Sequence, residues 1–291
     1  MTDPRYPYVA VDIAAEDADE VGALLFELGA KGVELRDGTT LTRGVGGEVT
    51  LWAGFATDED ARAALAEMRP AWSPRLEHVV GDAWRDDWKK HFEPFRICEA
   101  VVVRPPWRSY DPAPGECVVV LEPGRAFGTG LHETTRLVAC VLADHAAELR
   151  GAPMLDVGCG SGILALVALV LGAETARAID VDPDATDVTR ENAERNGLGA
   201  RMLANTTSLG TITERYLAVV ANIEARTLVE LAPALVARIA PGGILVLSGI
   251  LAPDVAPGQL DEVRAAYSGL KEEEVRRDGE WVALALRQLP P

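Results

Sequence analysis

A glycine-rich turn between two apolar segments constrains the fold of this chain more than any other feature. The apolar run MLDV at residues 154–157 leads into Gly158, Gly160 and Gly162, and the apolar run ILALVALVLGA follows at once. Glycine has no Cβ, so it permits tight turns and a close approach of the backbone to a ligand. A strand, a glycine turn and a buried helix in this order are typical of open α/β sheets, which bind ligands beyond the carboxyl ends of their strands.

Two carboxylates placed at strand ends indicate what kind of ligand the turn serves. Asp156 stands in the strand before the turn, and Asp180 ends the next predicted strand, in the run AIDVD. A carboxylate at the second position accepts hydrogen bonds from both hydroxyls of a ribose. Together with Gly160 and the neighbouring glycines, these residues predict a nucleoside-binding site.

The glycine turn is also compatible with a dinucleotide, because residues 160–165 match the G-x-G-x-x-A fingerprint. The carboxylate of Asp156 would repel a pyrophosphate, whereas it attracts the ammonium and sulfonium groups of S-adenosylmethionine. Gly162 also opens the helix where methyltransferases place a glycine. We therefore expect S-adenosylmethionine as the cofactor. A dehydrogenase and a glycine turn without any ligand are the two alternatives.

The hydrophobic periodicity divides the chain into two domains joined by a helix. Residues 1–81 show the order β-α-β-β-α-β, which is typical of a small ferredoxin-like α+β domain. Residues 82–97 carry aromatic side chains at helical spacing and predict a linker helix. In residues 98–291, strands alternate with helices, which predicts a doubly wound Rossmann-like sheet of the class I methyltransferase type. A turn at Asp278 and Gly279 predicts an antiparallel hairpin at the edge of that sheet.

The charge of the chain limits its partners. Its formal net charge is −17, whereas proteins that bind nucleic acid need a basic face, so we expect no direct readout of nucleic acid. An acidic surface steers a basic protein substrate toward the enzyme, although it also serves solubility alone. A basic protein substrate is the partner that we expect, with the enzyme itself a monomer.

The cysteines and the apolar runs indicate the compartment. The four cysteines form no C-x-x-C pair, so we expect neither a metal site nor a redox motif. The chain has no apolar run near the roughly 18 residues that a membrane span needs, and its start lacks the pattern of a signal peptide. These features predict a cytoplasmic enzyme that does not contact a membrane.

Four runs carry a resemblance to a known family. AFGTGLHETTR, LDVGCGSGILAL, DVDPDATDVTRENAERNG and VVANIEARTLVEL resemble the ribosomal protein L11 methyltransferase family (PrmA) in order and spacing. The likeness extends from residue 82 to the C-terminus, and the first domain agrees with the family by its architecture. The resemblance implies trimethylation of lysine side chains and of an N-terminal α-amine on a large-subunit ribosomal protein. It also implies that residues 1–81 recognise the substrate.

The resemblance implies roles for particular residues. It implies cofactor contacts at four positions, namely Thr135, Gly158, Asp180 and Asn222. It implies that the methionine end of the cofactor site is walled by three further residues, namely Phe127, Gly128 and Thr129. The chain departs from the family in having Glu122 where an aspartate is usual. Residues 201–215 also lack an obvious acidic partner for the adenine amino group, for which Asn205 or Thr207 are candidates.

Asn222 and His132 are the candidate catalytic residues. Methyl transfer requires a neutral amine aligned with the S–CH₃ bond, and the carboxamide oxygen of Asn222 can accept an N–H from that amine. The alternative is that Asn222 caps the following helix. His132 is a candidate base or substrate contact because histidine titrates near neutrality. The alternative is that His132 forms hydrogen bonds within its own loop.

Other functions remain as alternatives. A related methyltransferase could modify a lysine of another protein, such as an electron-transfer flavoprotein, and a ribosome-assembly binder could retain the cofactor site without catalysis. Methylation of adenine N6 in nucleic acid usually needs an N-P-P-Y-like run, whereas Asn222 is followed here by Ile-Glu-Ala. The intact AFGTG run and Asn222 favour the protein amino-group methyltransferase.

Overall fold

The structure is a computed structural model that describes residues 5–14, 17–36, 48–80, 92–122 and 130–290. The chain divides into two units, Met1–Phe92 and Glu93–Pro291, and each is considered by itself. Among the described residues, every helix is too short or too polar to cross a lipid bilayer.

The first unit is a four-stranded antiparallel sheet with two helices. Its elements are β1 (Arg5–Ala14), α1 (Ala18–Glu27), β2 (Gly32–Arg36), β3 (Glu48–Gly54), α2 (Asp58–Glu67) and β4 (Arg75–Val80). The strand order is β2-β3-β1-β4, which confirms the small ferredoxin-like α+β fold expected from the sequence. Alternate residues of β1, including Val9 and Val11, are buried with Leu25 of α1 and Ala61 of α2, so one face of the sheet forms the core.

The second unit begins with a separate three-stranded sheet. It contains β5 (Phe95–Cys98), β6 (Val101–Arg104) and β7 (Cys117–Val120), with β5 antiparallel and β7 parallel to β6. The sequence predicted that strands here belong to the doubly wound sheet, and that prediction was wrong. The linker helix predicted over residues 82–97 was also wrong at its C-terminal end, where β5 begins. Pro94 favours extended backbone around it, and Ile97 is buried in the core. Residues 82–91 lie outside the described residues.

The rest of the second unit is a seven-stranded sheet flanked by helices. Its strands are β8 (Pro153–Val157), β9 (Thr175–Ile179), β10 (Met202–Asn205), β11 (Tyr216–Asn222), β12 (Ile239–Leu251), β13 (Lys271–Asp278) and β14 (Trp281–Arg287). Its helices are α3 (Glu133–Asp144), α4 (Ala146–Leu149), α5 (Ile163–Val170), α6 (Pro183–Arg195), α7 (Ala225–Ala237) and α8 (Gln259–Ala266). The strand order is β10-β9-β8-β11-β12-β14-β13.

Two buried layers lie on opposite faces of this sheet, which confirms the doubly wound Rossmann-like fold. Met154 and Val220 pack with α3 and α5, while their neighbours Leu155 and Val219 pack with α7 and α8. Strands buried on both faces are expected of parallel sheets. Strand β14 runs antiparallel to β12 and pairs with β13, so the predicted edge hairpin is present.

The topology decides where a ligand can bind. The strand order reverses at β8, which pairs in parallel with β9 on one side and with β11 on the other. Open α/β sheets bind ligands in the crevice beyond the carboxyl ends of the strands at such a reversal. The carboxyl ends of β8, β9 and β11 therefore mark the candidate site.

Candidate functional site

The glycine turn after β8 adopts backbone that only glycine tolerates well. Gly158, Gly160 and Gly162 have φ angles of 74°, 53° and 77°. A Cβ at Gly158 would lie 2.3 Å from Cγ2 of Ile223, and one at Gly162 would lie 2.6 Å from Cγ2 of Thr189. The turn therefore requires glycine both for its dihedral angles and for the close approach of its neighbours.

Hydrogen bonds from two directions hold the turn in place. The N–H groups of Gly158 and Cys159 donate to the carbonyl of Ile179 at 2.8 and 3.1 Å, which ties the turn to the end of β9. Oγ1 of Thr189, on α6, donates to the carbonyl of Gly160 at 3.0 Å. Asn192, also on α6 and buried, donates from Nδ2 to the carbonyl of Ser161 at 3.0 Å.

Thr189 and Asn192 were not among the residues predicted for the site. Both are almost fully buried, although charged residues lie around them on α6. A signal was present, because they follow the buried Ala185 and Val188 at helical spacing. A polar residue within an apolar helical stripe indicates a buried hydrogen-bond partner.

Asp156 is a buried carboxyl group with one oxygen unsatisfied. Oδ2 accepts the N–H of Ala165 at 3.2 Å, whereas Oδ1 is buried without a hydrogen-bond partner among the described residues. Burial raises the pKa of Asp156 to about 7, the Ala165 N–H lowers it, and the charge of Asp180 raises it. A cation held nearby would favour the ionised form of this group.

Asp180 lies directly beyond β9 and contacts the glycine turn. Its Oδ2 accepts the N–H of Gly160 at 2.9 Å, and its Oδ1 accepts the N–H of Asp182 at 3.0 Å. The N–H of Asp180 lies 3.4 Å from the carbonyl of Asn205 at the end of β10. Oδ1 of Asn205 accepts the N–H of Thr207 at 3.1 Å. Of the two candidates for the adenine end, Asn205 therefore contacts Asp180, and Thr207 contacts Asn205.

Asn222 ends β11 and contacts the start of α3. Its Nδ2 lies 3.2 Å from Oγ1 of Thr134 and 3.5 Å from Oγ1 of Thr135. Both threonines are buried. The N-cap of α7 is Glu224, so the alternative in which Asn222 caps that helix is not found. The fold thus brings together two motifs that are distant in the sequence.

His132 is the N-cap of α3. Its Nδ1 accepts the N–H of Thr134 at 3.4 Å and lies 2.9 Å from Oγ1 of the same residue. The ring meets the ring of Trp281 edge-on, with 5.1 Å between centroids. His132 therefore forms these hydrogen bonds with the first turn of α3. Trp281 was not expected at the site, because nothing in the local sequence pattern marks this first residue of β14.

The loop that precedes α3 is described only from Gly130 onward. Phe127, Gly128 and Thr129, expected at the methionine end of the cofactor, lie outside the described residues. Gly130 has a φ of 85°, and a Cβ there would lie 2.5 Å from Cδ1 of Ile163. The end of this loop therefore packs against the first residue of α5, next to the glycine turn.

Two further residues, Cys159 and Glu122, have structural partners. Burial raises the pKa of the Cys159 thiol to about 12, so this cysteine is no nucleophile at neutral pH. Glu122 accepts a hydrogen bond from Nη2 of Arg195 at 2.6 Å. This ion pair joins the segment after β7 to the last residue of α6 and gives Glu122 a structural role.

The sequence is similar to a known family along nearly its whole length. A family model described as ribosomal protein L11 methyltransferase (PrmA) matches residues 5–288. A protein named ribosomal protein L11 methyltransferase from Sorangium cellulosum is 56% identical over 273 residues, which cover 92% of this chain and 84% of that protein. A protein of the same name from Pelobacter propionicus is 38% identical over 305 residues, covering 98% of each chain.

A solved structure is similar in fold. The crystal structure of ribosomal protein L11 methylase from Lactobacillus delbrueckii subsp. bulgaricus matches this chain with a TM-score of 0.60 at 29% sequence identity. The match covers 68% of this chain and 100% of that one.

Proposed function

This chain belongs to the ribosomal protein L11 methyltransferase family, and from that membership we propose that it methylates an L11-type ribosomal protein. The enzyme is a methyltransferase that uses S-adenosylmethionine. We propose that its acceptors are lysine side chains and the N-terminal α-amine. The observation that carries the proposal is the contact of the Asn222 side chain with Thr134 and Thr135. This contact lies at the carboxyl ends of the strands, where the glycine turn also lies.

The residues at this edge fit the cofactor. The orphaned Oδ1 of Asp156 suits a cationic ligand, and the glycine turn follows the carboxyl end of β8, where open α/β sheets bind their ligands. When bound, S-adenosylmethionine would supply a sulfonium-bound methyl group that an amine can attack directly, with the thioether of S-adenosylhomocysteine as the leaving group. We propose that its contacts come from the glycine turn and the strand ends, namely Asp156, Gly158, Gly160, Asp180, Thr135 and Asn222. Phe127, Gly128 and Thr129 are proposed for its methionine end.

Asn222 has the chemistry to orient the acceptor amine. A free lysine has a pKa of about 10.4, so it must lose a proton before its lone pair can attack. The carboxamide oxygen of Asn222 accepts an N–H of the neutral amine and thereby directs the lone pair. Such alignment of the reacting atoms is a large part of catalysis by proximity.

The proposed protein partner and compartment follow from the net charge of the chain and from its family. A formal charge of −17 favours encounter with a basic ribosomal protein. We propose that the ferredoxin-like domain, residues 1–81, recognises this protein, and that the enzyme works as a cytoplasmic monomer. The reported relatives are named for L11, so nothing here favours the flavoprotein methyltransferase or the non-catalytic binder.

Transfer of a labelled methyl group tests the proposal. Purified enzyme, labelled S-adenosylmethionine and an unmethylated L11-type protein should give methylated amines that mass spectrometry locates on lysines and the N-terminus. Asn222→Ala and Asp180→Ala should abolish transfer, whereas Thr175→Val, at the exposed amino end of β9, should not. Label on another protein, or cofactor binding without transfer, would contradict the proposed substrate or the proposed catalysis respectively.

A further inference from the structure

A chain of hydrogen bonds runs from the N-terminus of α3 to the end of β11. It links the backbone N–H of Thr134 to Nδ1 of His132, that nitrogen to Oγ1 of Thr134, and that oxygen to Nδ2 of Asn222. The three distances are 3.4, 2.9 and 3.2 Å. Histidine and hydroxyl groups can each donate or accept, so the direction of the chain must be derived from its one fixed member.

The fixed member is the backbone N–H of Thr134, which can only donate. Because it donates to Nδ1 of His132, that nitrogen carries no proton, and the neutral ring holds its proton on Nε2. The contact between Nδ1 and Oγ1 of Thr134 is then an O–H donated by the threonine. The single hydroxyl proton of Thr134 is used in this bond.

This direction decides the orientation of the Asn222 carboxamide. With its proton committed to His132, Oγ1 of Thr134 can only accept from Asn222, so Asn222 must present its NH₂ group. The carboxamide is planar, so its oxygen is turned away from Thr134. Oδ1 of Asn222 accepts no hydrogen bond within the described part of the chain. It remains available for the N–H of an acceptor.

The His132 end of this series of hydrogen bonds is also held in place. The ring of Trp281 contacts the ring of His132 edge-on at an interplanar angle of 63°. The half-exposed imidazole is thereby restricted in rotation, with Nδ1 over the first turn of α3. The direction of the hydrogen bonds thus rests on tertiary packing as well as on the helix cap.

We propose that Thr134 and His132 are positioning residues that hold the Asn222 carboxamide with its oxygen toward the acceptor amine. This inference rests on the proposed function, because it assigns Asn222 the role of orienting the amine. His132 then acts through its unprotonated Nδ1 rather than as the base that removes the amine proton. The hydroxyl of Thr134 links His132 to Asn222. Only serine could replace it without changing the geometry of this series of hydrogen bonds.

The tautomer of His132 can be measured without any methyl transfer. In protein carrying ¹⁵N-labelled histidine, NMR distinguishes a protonated from an unprotonated ring nitrogen, and His132→Gln assigns the signal. We expect an unprotonated Nδ1 and a protonated Nε2 for His132 at neutral pH. A protonated Nδ1 would overturn the direction of the chain, whether or not the enzyme methylates L11.

Variants of Thr134 test the consequence for catalysis. Thr134→Val keeps the shape and removes the hydroxyl, so we expect kcat to fall on the order of tenfold to a hundredfold while KM for the cofactor stays within about threefold. Thr134→Ser should recover most of this loss. Thr175→Val is the matched control, because Thr175 is exposed and lies at the amino end of β9, whereas the candidate site lies at the carboxyl ends of the strands.

The outcomes separate this inference from the proposed function. Equal activity of the valine variant and the unmodified enzyme, or no recovery with serine, would overturn the positioning role. Loss of S-adenosylhomocysteine binding in Thr134→Val, measured by calorimetry, would also overturn it, because the residue would then belong to the cofactor site. An unmodified enzyme that does not methylate the L11-type protein would contradict the proposed function, and the tautomer would still decide the direction of the chain.

Discussion

Arg136 ties the first turns of α3 to the C-terminal hairpin through Asp278. Nη2 and Nε of Arg136 donate to the same oxygen, Oδ2 of Asp278, at 2.6 and 3.2 Å. The two residues are 142 positions apart, and Asp278 ends β13 at the turn that leads to Trp281. The hairpin is therefore joined to the N-terminal half of α3 both by this ion pair and by the contact between Trp281 and His132.

The ion pair should contribute little to stability by itself. The side chains of Arg136 and Asp278 are 37% and 40% exposed, so solvent screens their charges. We expect a coupling free energy of about 0.2–1 kcal/mol, measured with Arg136→Ala, Asp278→Ala and the double variant in urea denaturation. High salt should reduce this value. A coupling free energy above about 2 kcal/mol would show that the ion pair holds the hairpin in place and is more than a screened surface contact.

Gly162 should be far more sensitive to a methyl group than Gly197. Both have positive φ angles, 77° and 69°, so alanine costs about 1–2 kcal/mol at either position. A Cβ at Gly162 would also lie 2.6 Å from Cγ2 of Thr189, whereas nothing lies within 4 Å of one at Gly197. We therefore expect Gly162→Ala to lower the free energy of unfolding by more than Gly197→Ala does. Equal losses in chemical denaturation would refute the proposed clash.

Asp156 should make the unliganded protein less stable as the pH rises. Its pKa is raised from 3.8 to about 7 on folding, so between these values the folded state binds more protons than the unfolded state. The free energy of unfolding contributed by this group is therefore highest below about pH 4 and falls as the pH rises to about 7. Replacement by asparagine should remove this dependence.

The test compares denaturation of the unmodified protein and Asp156→Asn from pH 4 to pH 8. We expect the variant to gain stability relative to the unmodified protein as the pH increases. Asp111→Asn, which changes an exposed carboxylate, controls for the loss of one negative charge. If the free energies of unfolding of the unmodified protein and Asp156→Asn differed by a constant amount from pH 4 to pH 8, the Asp156 carboxyl would not titrate as its burial implies.

Much of the fold could be predicted because its signals are local. The strand, glycine turn and helix around Gly158 follow from short-range patterns, and the carboxyl ends of parallel strands share one edge. Asp156 and Asp180 were therefore expected near each other, and they lie on either side of the glycine turn. The β-α-β-β-α-β order of the first unit was likewise readable from hydrophobic periodicity.

The prediction failed where local pattern and tertiary context disagree. The aromatic spacing before and after Pro94 indicated a helix, yet Phe95–Cys98 forms a strand paired with β6. A short apolar segment fits either structure, and here pairing with a neighbouring strand and burial of Ile97 decided between them. For Thr189, the position within an apolar helical stripe indicated a buried hydrogen-bond partner, but only the tertiary structure showed that this partner is the carbonyl of Gly160.

The sequence by itself determined the order of most elements, the glycine turn and the residues that stand at the strand ends. It did so because hydrophobic period, turn residues and strand polarity act over a few residues. Only the tertiary structure decided that Asn222 meets Thr134, 88 positions away, and that Trp281 meets His132. These contacts depend on strand register and on the packing of α3 against the sheet, which bring distant side chains within hydrogen-bonding distance and which no local pattern encodes.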